Sequence, residues 1–533
     1  MLQPVLVIYA GGTIGMVPKY PEDPRSPLVP GSWADLVQWA PQLDRLGFPV
    51  RAISIGTPRD SSDVSSREWI EIAHLIRDHY NHARGFVVLH GTDTMAYTAT
   101  ALGFMLRNLA KPVVVTGSLL PITAPRTDAL QNFVSALTIA AGSAAGLPCV
   151  PEVCLFLRTH LFRGCRTTKI NARSYDAFVS PNYPPLGEAG DRIDIFTKRI
   201  RRPSGSFRVR DALEHGVITI RITPDLDPAV LHAVLRQPQV KGVILETYGL
   251  GNAPSNPDLL AVLGDAIAAG KPIVAATQCL SGSVELGRYQ AGAGLLDQGV
   301  ISGLDMTTEA ALIKLQILLG EHGDDVEAVS HLMQIDMAGE QSLSICNASF
   351  AGGRVTTQHG SPSQGLTADI ANEPQRVTSE SNSDPQRVTS ERASEPQRFT
   401  AHYRSEPKRV TGTFDKENLR NAQLRLFGAG YHGRPADGVL LRAYFNLPAT
   451  ATDPGENAPE YAGAIRRSAN GTESRETLCI DVTQAVESGL ITPAEPVRFS
   501  LFSPTAVSLE WNRATLAIVT TISNNTAISH RRI

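Results

Sequence analysis

The sequence predicts an α/β fold with wound, mostly parallel sheets, and three observations support this prediction. The apolar runs at residues 5–9 and 86–90 have no polar alternation, which is typical of strands buried on both faces of a parallel sheet. Helical patterns follow such runs repeatedly, so strands and helices alternate along the first 350 residues. Glycines and hydroxyl side chains follow both runs directly, where open α/β sheets bind ligands.

The elements of the first lobe are predicted in chain order from this alternation. Residues 17–33 contain five prolines and therefore form neither a helix nor a central strand. A loop of this length beside a candidate site is either a lid or a surface insertion. Ser65 or Ser66 is expected to cap the helix that follows. The predicted helices are 33–46, 67–82, 94–109 and 128–145, and the later strands are 50–55, 86–90, 112–116 and 153–156.

A second α/β lobe follows a charged connection at residues 190–212. Its predicted strands are 217–222, 242–246 and 272–277, and its predicted helices are 228–235, 256–269 and 308–319. The two lobes are predicted to cover residues 1–190 and 213–350. Polar residues at the ends of these strands are either ligand-facing groups or ordinary buried caps.

The composition changes after residue 350. Four related segments begin at Glu373, Asp384, Glu395 and Glu406, 11 residues apart, and each contains a proline. Their low apolar content predicts a disordered or extended linker at 360–412. Strand-like segments at 422–427, 439–445, 497–502 and 516–520 then predict a small all-β sandwich at 413–533, an accessory domain whose ligand is unknown.

Charge and composition exclude several classes of protein. The chain has 533 residues, is 42% hydrophobic and carries a formal net charge of −3, so neither nucleic acid nor an anionic membrane is an expected partner. We expect no secretory signal and no membrane span. The six cysteines have no metal-binding spacing and are expected to be free thiols in a reducing compartment.

The polar residues after the first and third strands suggest nucleophilic chemistry. Thr13 follows Gly11 and Gly12, whose backbone amides can stabilise an oxyanion. A threonine hydroxyl needs a nearby base, and a lysine that is buried or paired with an aspartate can serve. Thr92, Asp93 and Lys169 supply such groups, although spacing alone does not bring Lys169 to the site. The alternative is that each threonine is a hydrogen-bonded hydroxyl at a strand end.

Several motifs, taken together and in this order, resemble the bacterial-type asparaginase family, and most closely its type I, cytoplasmic branch. The resemblance covers residues 4–345, and it implies the two-lobed asparaginase fold. Ala10 departs from the family pattern, in which a threonine is usual. The motifs are YAGGTIGM (9–16), DSSD (60–63), HGTDTM (90–95), VTGS (115–118), RTDA (126–129), TKINA (168–172), SPNY (180–183), TYGLGN (247–252) and TQC (277–279).

This resemblance implies hydrolysis of L-asparagine to L-aspartate and ammonia, without a metal or other cofactor, by a cytoplasmic enzyme. Thr13 resembles the nucleophile, and Thr92, Asp93 and Lys169 resemble the groups that move protons and activate water. Ser61, with Asp60 and Ser62, resembles the substrate-carboxylate site, whereas Asp93 would pair with the substrate ammonium. A glutaminase side activity stays open. A pocket that binds the shorter amide would tolerate one extra methylene poorly, but discrimination by size alone is worth only about 1–3 kcal/mol.

The resemblance also implies a homodimer or homotetramer in which Asn252 completes a neighbouring site. Tyr20 is the candidate lid residue. Thr168 and Cys279 match a second, regulatory asparagine site, with ordinary packing as the alternative. The tail weakly resembles the β-sandwich that follows the copper domain of some tyrosinases. Two other functions stay open: an ammonia-releasing subunit of a tRNA-linked amidotransferase, and a catalytically weak binding or scaffold protein.

Overall fold

The computed structural model describes residues 2–355, apart from residues 21, 24, 289 and 324. Further along the chain it describes residues 401–404, 419–432, 439–446, 461–467, 476–488, 491, 497, 499–503 and 508–521. The predicted linker at 360–412 therefore lies outside the described residues, apart from the strand Ala401–Arg404. The chain divides into two compact units, and Met1–Cys346 forms most of the first.

The first unit begins with an eight-stranded sheet whose central strands are parallel. The strand Val5–Gly11 lies between Val50–Arg59 and Gly85–Leu89 and is parallel to both. All seven of its residues are buried, as its unbroken apolar run predicts. The predicted fold class is thereby confirmed. In spatial order the strands are Ile193–Ile195, Gly187–Ala189, His160–Arg163, Val153–Leu157, Val113–Thr116, Gly85–Leu89, Val5–Gly11 and Val50–Arg59.

Side chains from the central strand enter two hydrophobic cores, one on each face of the sheet. Leu6 and Ile8 belong to one core, whereas Val5, Val7 and Tyr9 belong to the other. This alternation follows from the two-residue period of a strand. The helices of this lobe are Trp33–Gln38, Ser66–His79, Met95–Met105 and Ala129–Ala141.

All four predicted helices of the first lobe end earlier than expected, the one predicted at 67–82 at His79, and local chemistry explains two of these early ends. The helix predicted at 33–46 stops at Gln38 and is followed by a 3₁₀ turn that begins at Pro41, which cannot continue a helix. The helix predicted at 128–145 ends at Ala141 because Gly142 adopts a φ of 55°. The helix predicted at 94–109 covers only Met95–Met105. Of the two predicted caps, Ser65 and Ser66, it is Ser65 that caps the helix Ser66–His79.

The proline-rich segment forms neither a helix nor a central strand, as predicted. It contains a two-stranded antiparallel pair, Met16–Pro18 with Leu28–Pro30, separate from the large sheet. The charged connection at 190–212 is more ordered than expected. It contributes the edge strand Ile193–Ile195 and the short strand Arg208–Val209, which pairs with Leu106–Arg107.

The second lobe of this unit is a four-stranded parallel sheet with helices. Its strands, in spatial order, are Val217–Arg221, Gly242–Thr247, Ile273–Thr277 and Ile301–Ser302. The last strand was not predicted, because only two residues of it pair. The helices are Pro228–Leu235, Pro257–Ala268, Gln290–Asp297, Thr308–His322 and Val326–Met333.

Residues from 343 onwards contribute two four-stranded sheets and the short helix Thr483–Glu487. The strand Leu343–Val355 crosses the predicted domain end at residue 350. Sandwich packing of the two sheets stays a prediction. In spatial order the sheets contain Leu343–Val355, Ser508–Thr521, Leu419–His432 and Glu476–Asp481, and then Ala401–Arg404, Phe499–Ser503, Val439–Phe445 and Tyr461–Arg467.

Three features of the described residues bear on broad function. No helix among them is both long enough and apolar enough to cross a bilayer. They also contain no group of three or more His, Cys, Asp or Glu side chains placed to hold a metal ion. Cys149, Cys154, Cys165 and Cys279 are free thiols.

Candidate active site

Three loops meet at the carboxyl-terminal edge of the central strands, and glycines allow their close approach. A Cβ atom on Gly12 would lie 2.3 Å from the backbone nitrogen of Gly91. A Cβ on Gly91 would lie 2.5 Å from the Ser61 hydroxyl, and one on Gly11 would lie 2.4 Å from backbone atoms of Arg59. No larger residue fits these contacts. The turns that precede the two candidate threonines therefore lie directly against each other.

Thr13 begins a short 3₁₀ helix, Thr13–Gly15, immediately after this contact. The turn is fixed from both sides, because the Gly12 N–H donates to the Arg59 carbonyl at 2.9 Å and the Gly15 N–H donates to the Gly12 carbonyl at 3.2 Å. Thr13 is half-buried, and within the described part of the chain its hydroxyl makes no hydrogen bond. That hydroxyl is available to a ligand.

Tyr9 stabilises the same turn through hydrogen bonds. Its hydroxyl donates to the Gly31 carbonyl at 2.9 Å, and the Gly31 N–H donates to the Gly15 carbonyl at 2.9 Å. Burial, with a smaller contribution from Asp35, raises the pKa of Tyr9 to about 12. The tyrosine is therefore a neutral hydrogen-bond donor that ties the 3₁₀ helix to the proline-rich segment.

Lys169 contacts both Thr92 and Asp93. Its Nζ donates to the Thr92 Oγ1 at 2.9 Å and to the Asp93 Oδ1 at 2.6 Å. The Thr92 residue is 8% exposed and the Lys169 side chain 17%, whereas the Asp93 side chain is 65% exposed. The strand Thr168–Lys169 pairs with Phe178–Val179 and so presents the amine. The structure thus joins a buried hydroxyl, an amine and a solvent-facing carboxylate.

Ser61 lies beside this cluster. Its hydroxyl accepts a hydrogen bond from the Asp93 N–H at 3.2 Å, and its carbonyl accepts one from the Thr94 hydroxyl at 2.7 Å. Asp60 accepts hydrogen bonds from the N–H and the hydroxyl of Ser62, which hold the pKa of the Asp60 carboxyl below its usual value. Asp60 is ionised and caps the 3₁₀ helix Ser61–Asp63.

A buried chain of hydrogen bonds, which sequence reasoning missed, orients the peptide before Thr92. The Trp69 Nε1–H donates to the Thr98 Oγ1 at 3.0 Å, and the Thr98 hydroxyl contacts the His90 Nε2 at 2.9 Å. The His90 Nδ1 lies 2.7 Å from the Gly91 carbonyl. A carbonyl only accepts, so Nδ1 carries the proton and Nε2 accepts from Thr98.

The chemistry of His90 follows from this arrangement. Burial lowers its pKa, although the Gly91 carbonyl and Asp60 act in the opposite direction, so the ring is neutral at pH 7. Fixing the Gly91 carbonyl also fixes the trans N–H of Thr92. That N–H takes no acceptor from the described residues and is available to a ligand. A histidine in the last position of a buried strand was the available sequence signal.

The remaining predicted residues lie elsewhere. Tyr20 is 55% exposed on the proline-rich segment, and Asn252 forms an isolated bridge with Tyr248. Cys279 is exposed, and its N–H donates to the Thr277 hydroxyl at 3.1 Å. Among the described residues, none of these side chains has a hydrogen bond or ion pair to the Thr13, Thr92, Asp93 and Lys169 set.

Thr168 faces away from the pair formed by Lys169 and Asp93. Its hydroxyl donates to the Glu309 Oε1 at 2.7 Å. Burial raises the pKa of Glu309, and the hydrogen bond from Thr168 only partly opposes this effect. Residue 168 therefore connects the two lobes of the first unit, because Glu309 lies in the first turn of helix Thr308–His322.

Two protein families match the α/β part of this chain. The family described as "Asparaginase, N-terminal" matches residues 4–201, and "Glutaminase/Asparaginase C-terminal domain" matches residues 216–333. L-asparaginase 1 of Escherichia coli (strain K12) is 43% identical over 344 residues, which cover 63% of this chain and 97% of that protein. The 60 kDa lysophospholipase of Mus musculus is 44% identical over 286 residues, 53% of this chain; the match spans only half of the mouse protein.

A solved structure is also similar to this chain. L-asparaginase I from Vibrio cholerae O1 superimposes with a TM-score of 0.58 at 41% sequence identity, over 64% of this chain and 99% of that one.

Proposed function

The chain belongs to the asparaginase family, and on that premise we propose that it hydrolyses L-asparagine to L-aspartate and ammonia with Thr13 as the nucleophile. The family makes it a hydrolase of the amidohydrolase kind. Asparagine hydrolysis by Thr13 is supported above all by the cluster of Thr92, Lys169 and Asp93, which lies beside the glycine turn that precedes Thr13. A free hydroxyl and a separate proton-moving set are the two requirements of covalent amide hydrolysis.

In the first half of the reaction, the Thr13 oxygen attacks the side-chain amide carbon of asparagine. The hydroxyl proton leaves Thr13 and reaches the departing nitrogen, so ammonia is released and a β-aspartyl ester stays on Thr13. The negative charge on the carbonyl oxygen needs preorganised donors. The Thr92 N–H, held in place through the Gly91 carbonyl and His90, is a suitable one.

In the second half, water hydrolyses the ester. Lys169, acting as a neutral amine, takes a proton from Thr92 along their 2.9 Å contact, and Thr92 takes one from the attacking water. The water oxygen then bonds to the ester carbon and the bond to Thr13 breaks. The Thr13 oxygen takes up a proton from the Lys169 ammonium, which returns the amine to its neutral form. Asp93 stabilises the lysine cation at 2.6 Å.

The substrate's charged ends have matching groups. The Ser61 hydroxyl accepts from the Asp93 N–H, which leaves its proton free to donate to the substrate carboxylate. The exposed carboxylate of Asp93 suits the substrate ammonium. Asp60 is ionised and bonded to Ser62, so its contribution is to hold the turn rather than to contact another carboxylate.

Other assignments from the family resemblance belong to the same proposal. Asn252 would complete the site of a neighbouring copy in a dimer or tetramer, and Tyr20 would close over the site. Thr168 and Cys279 would form a regulatory site, where a ligand has to share the Thr168 hydroxyl with Glu309. A cytoplasmic location follows from the resemblance to the type I branch.

The test is ammonia release by the purified full chain from asparagine and, separately, from glutamine. Wild type is compared with Thr13→Ala and with Thr138→Ala, a control in which the lost hydroxyl contacts only the Val134 carbonyl of its own helix. We expect asparagine turnover in wild type and in the control, and none in Thr13→Ala.

Each contrary outcome has a definite meaning. Turnover that survives in Thr13→Ala contradicts the assigned nucleophile. No ammonia from wild type on either amide contradicts the asparaginase proposal, and favours the amidotransferase subunit or the binding protein as alternatives.

A further inference from the structure

A cavity of about 90 Å³ lies at the carboxyl-terminal end of the helix Met95–Met105, whereas Asp93 precedes the other end of that helix. Its apolar floor includes Leu106, Val153 and Met337. Four arginines line its walls, and we call the cavity the arginine pocket after Arg107, Arg163, Arg201 and Arg202. None of these belongs to the predicted active site.

Two of the arginines are neutralised by buried carboxylates. The Nε and Nη2 atoms of Arg163 donate to the two oxygens of Glu152, at 2.5 and 3.2 Å, and both side chains are less than 10% exposed. Arg201 forms an ion pair with Asp336, which is itself buried. The second Glu152 oxygen also accepts the Arg201 N–H at 2.6 Å. Glu152 and Asp336 are therefore already paired with Arg163 and Arg201.

Arg107 and Arg202 have no such partner. Among the residues that the structure describes, neither side chain makes an ion pair or a hydrogen bond. Arg107 is partly buried, and burial lowers the pKa of its guanidinium; Arg201 and Arg210 act in the same direction, against Glu340 and Asp336. Arg210 is itself paired with Glu321. The pocket therefore carries two uncompensated positive charges.

Arg107 is an unpaired, partly buried cation, and a counterion offsets the cost of its desolvation. Arg202 is exposed and adds a second positive charge at the rim of the pocket. Guanidinium groups present planar forks of N–H donors that match tetrahedral oxyanions. Ser204 and Asn108 line the same pocket and add polar groups at its edge. A volume of about 90 Å³ is several times the roughly 10–15 Å³ that one water molecule requires.

We propose that the arginine pocket binds one compact oxyanion of the phosphate class, held between Arg107 and Arg202. A doubly charged anion matches the two uncompensated cations, whereas chloride offers no oxygen acceptors for the guanidinium forks. The occupant is either free phosphate or the phosphate group of a small molecule. Both present the same oxygens to the pocket.

The experiment is calorimetric titration of the full chain with sodium phosphate at constant ionic strength, with sodium chloride as the reference titration. A small phosphate monoester is titrated in parallel. Arg107→Met and Arg202→Met remove the charges, and Arg236→Met is the matched control, since Arg236 is exposed and does not line the pocket. Thermal melts verify that each variant is folded.

We expect one phosphate per chain, bound with at least roughly tenfold lower affinity in Arg107→Met and in Arg202→Met, and unchanged in Arg236→Met. Arg107→Lys keeps the charge without the fork and is expected to recover part of the affinity. Tighter binding of the monoester identifies the phosphate group of a small molecule as the occupant, and tighter binding of phosphate identifies the free ion.

Two results would overturn the proposal. One is the absence of saturable phosphate binding by wild type. The other is equal phosphate affinity in wild type and both pocket variants. If Arg107→Met fails to fold, Arg202→Met decides, because Arg202 is exposed and its loss leaves the core intact.

Discussion

Replacing Lys169 by methionine separates the catalytic role of this amine from its structural role. The substitution removes one hydrogen bond to Thr92 and one ion pair to Asp93. Because the Asp93 side chain is 65% exposed, solvent screens the pair and its contribution is at most about 1 kcal/mol. The hydrogen bond adds about 0.5–1.5 kcal/mol. We therefore expect the free energy of unfolding to fall by no more than roughly 2.5 kcal/mol.

The expected loss in turnover is larger. A positioned proton-transfer group typically contributes about 10²- to 10⁴-fold to the rate, which is about 2.7–5.4 kcal/mol in the barrier. The assay is steady-state ammonia release from asparagine, with urea unfolding of the same preparations. Lys169→Arg is the matched control, because a guanidinium restores the ion pair with Asp93 but does not give up its proton.

We expect Lys169→Arg to recover stability without recovering kcat. If Lys169→Met keeps kcat within about tenfold of wild type, or if Lys169→Arg restores turnover, Lys169 does not move protons in the reaction.

Three further changes test the surroundings of the site. Gly12→Ala places a Cβ atom at a φ of 88° and 2.3 Å from the Gly91 nitrogen, and should lower the free energy of urea unfolding by at least about 1–3 kcal/mol. Gly47→Ala is the control, because its Cβ meets no atom within 4 Å, and it should lower that free energy far less. Thr98→Val leaves His90 without its hydroxyl partner and should cost about 1–3 kcal/mol and lower kcat; unchanged kcat would contradict the positioning role. Burial raises the pKa of Glu309, so the contribution of Glu309 to stability is full below its pKa in the unfolded chain and is lost as the pH rises through its pKa in the folded protein. In melts from pH 4 upwards, the unfolding free energy of wild type should therefore fall relative to that of Glu309→Gln. A constant difference between the two proteins would contradict this.

The strands were predictable because burial on both faces leaves a direct mark on the sequence. Residues 5–9 read as an unbroken apolar run, and the strand Val5–Gly11 lies at the centre of the sheet. The cap at Ser65 was predictable for a similar local reason, since a serine precedes the helix and Glu68 completes a capping box. Helix ends were less predictable, because Gly142 reads equally well as an interior or a final residue.

Contacts between distant residues could not be predicted from the residues alone. Lys169 is 76 positions from Asp93, and only the resemblance to a family suggested that they meet. The hydrogen-bond chain through His90 was missed because Trp69 and Thr98 lie on different helices. The arginine pocket was missed for the same reason, since Arg107 and Arg201 come together only through tertiary packing.

The most direct test of the central claim is to trap the covalent intermediate. Wild type and Lys169→Met are mixed with asparagine, quenched in acid within the first turnovers, digested and mapped by mass spectrometry. We predict a β-aspartyl ester on the peptide that contains Thr13, with more of it in Lys169→Met, because water activation is impaired while the ester can still form. An ester on the peptide that contains Thr92, or active turnover with no ester on Thr13, would contradict it.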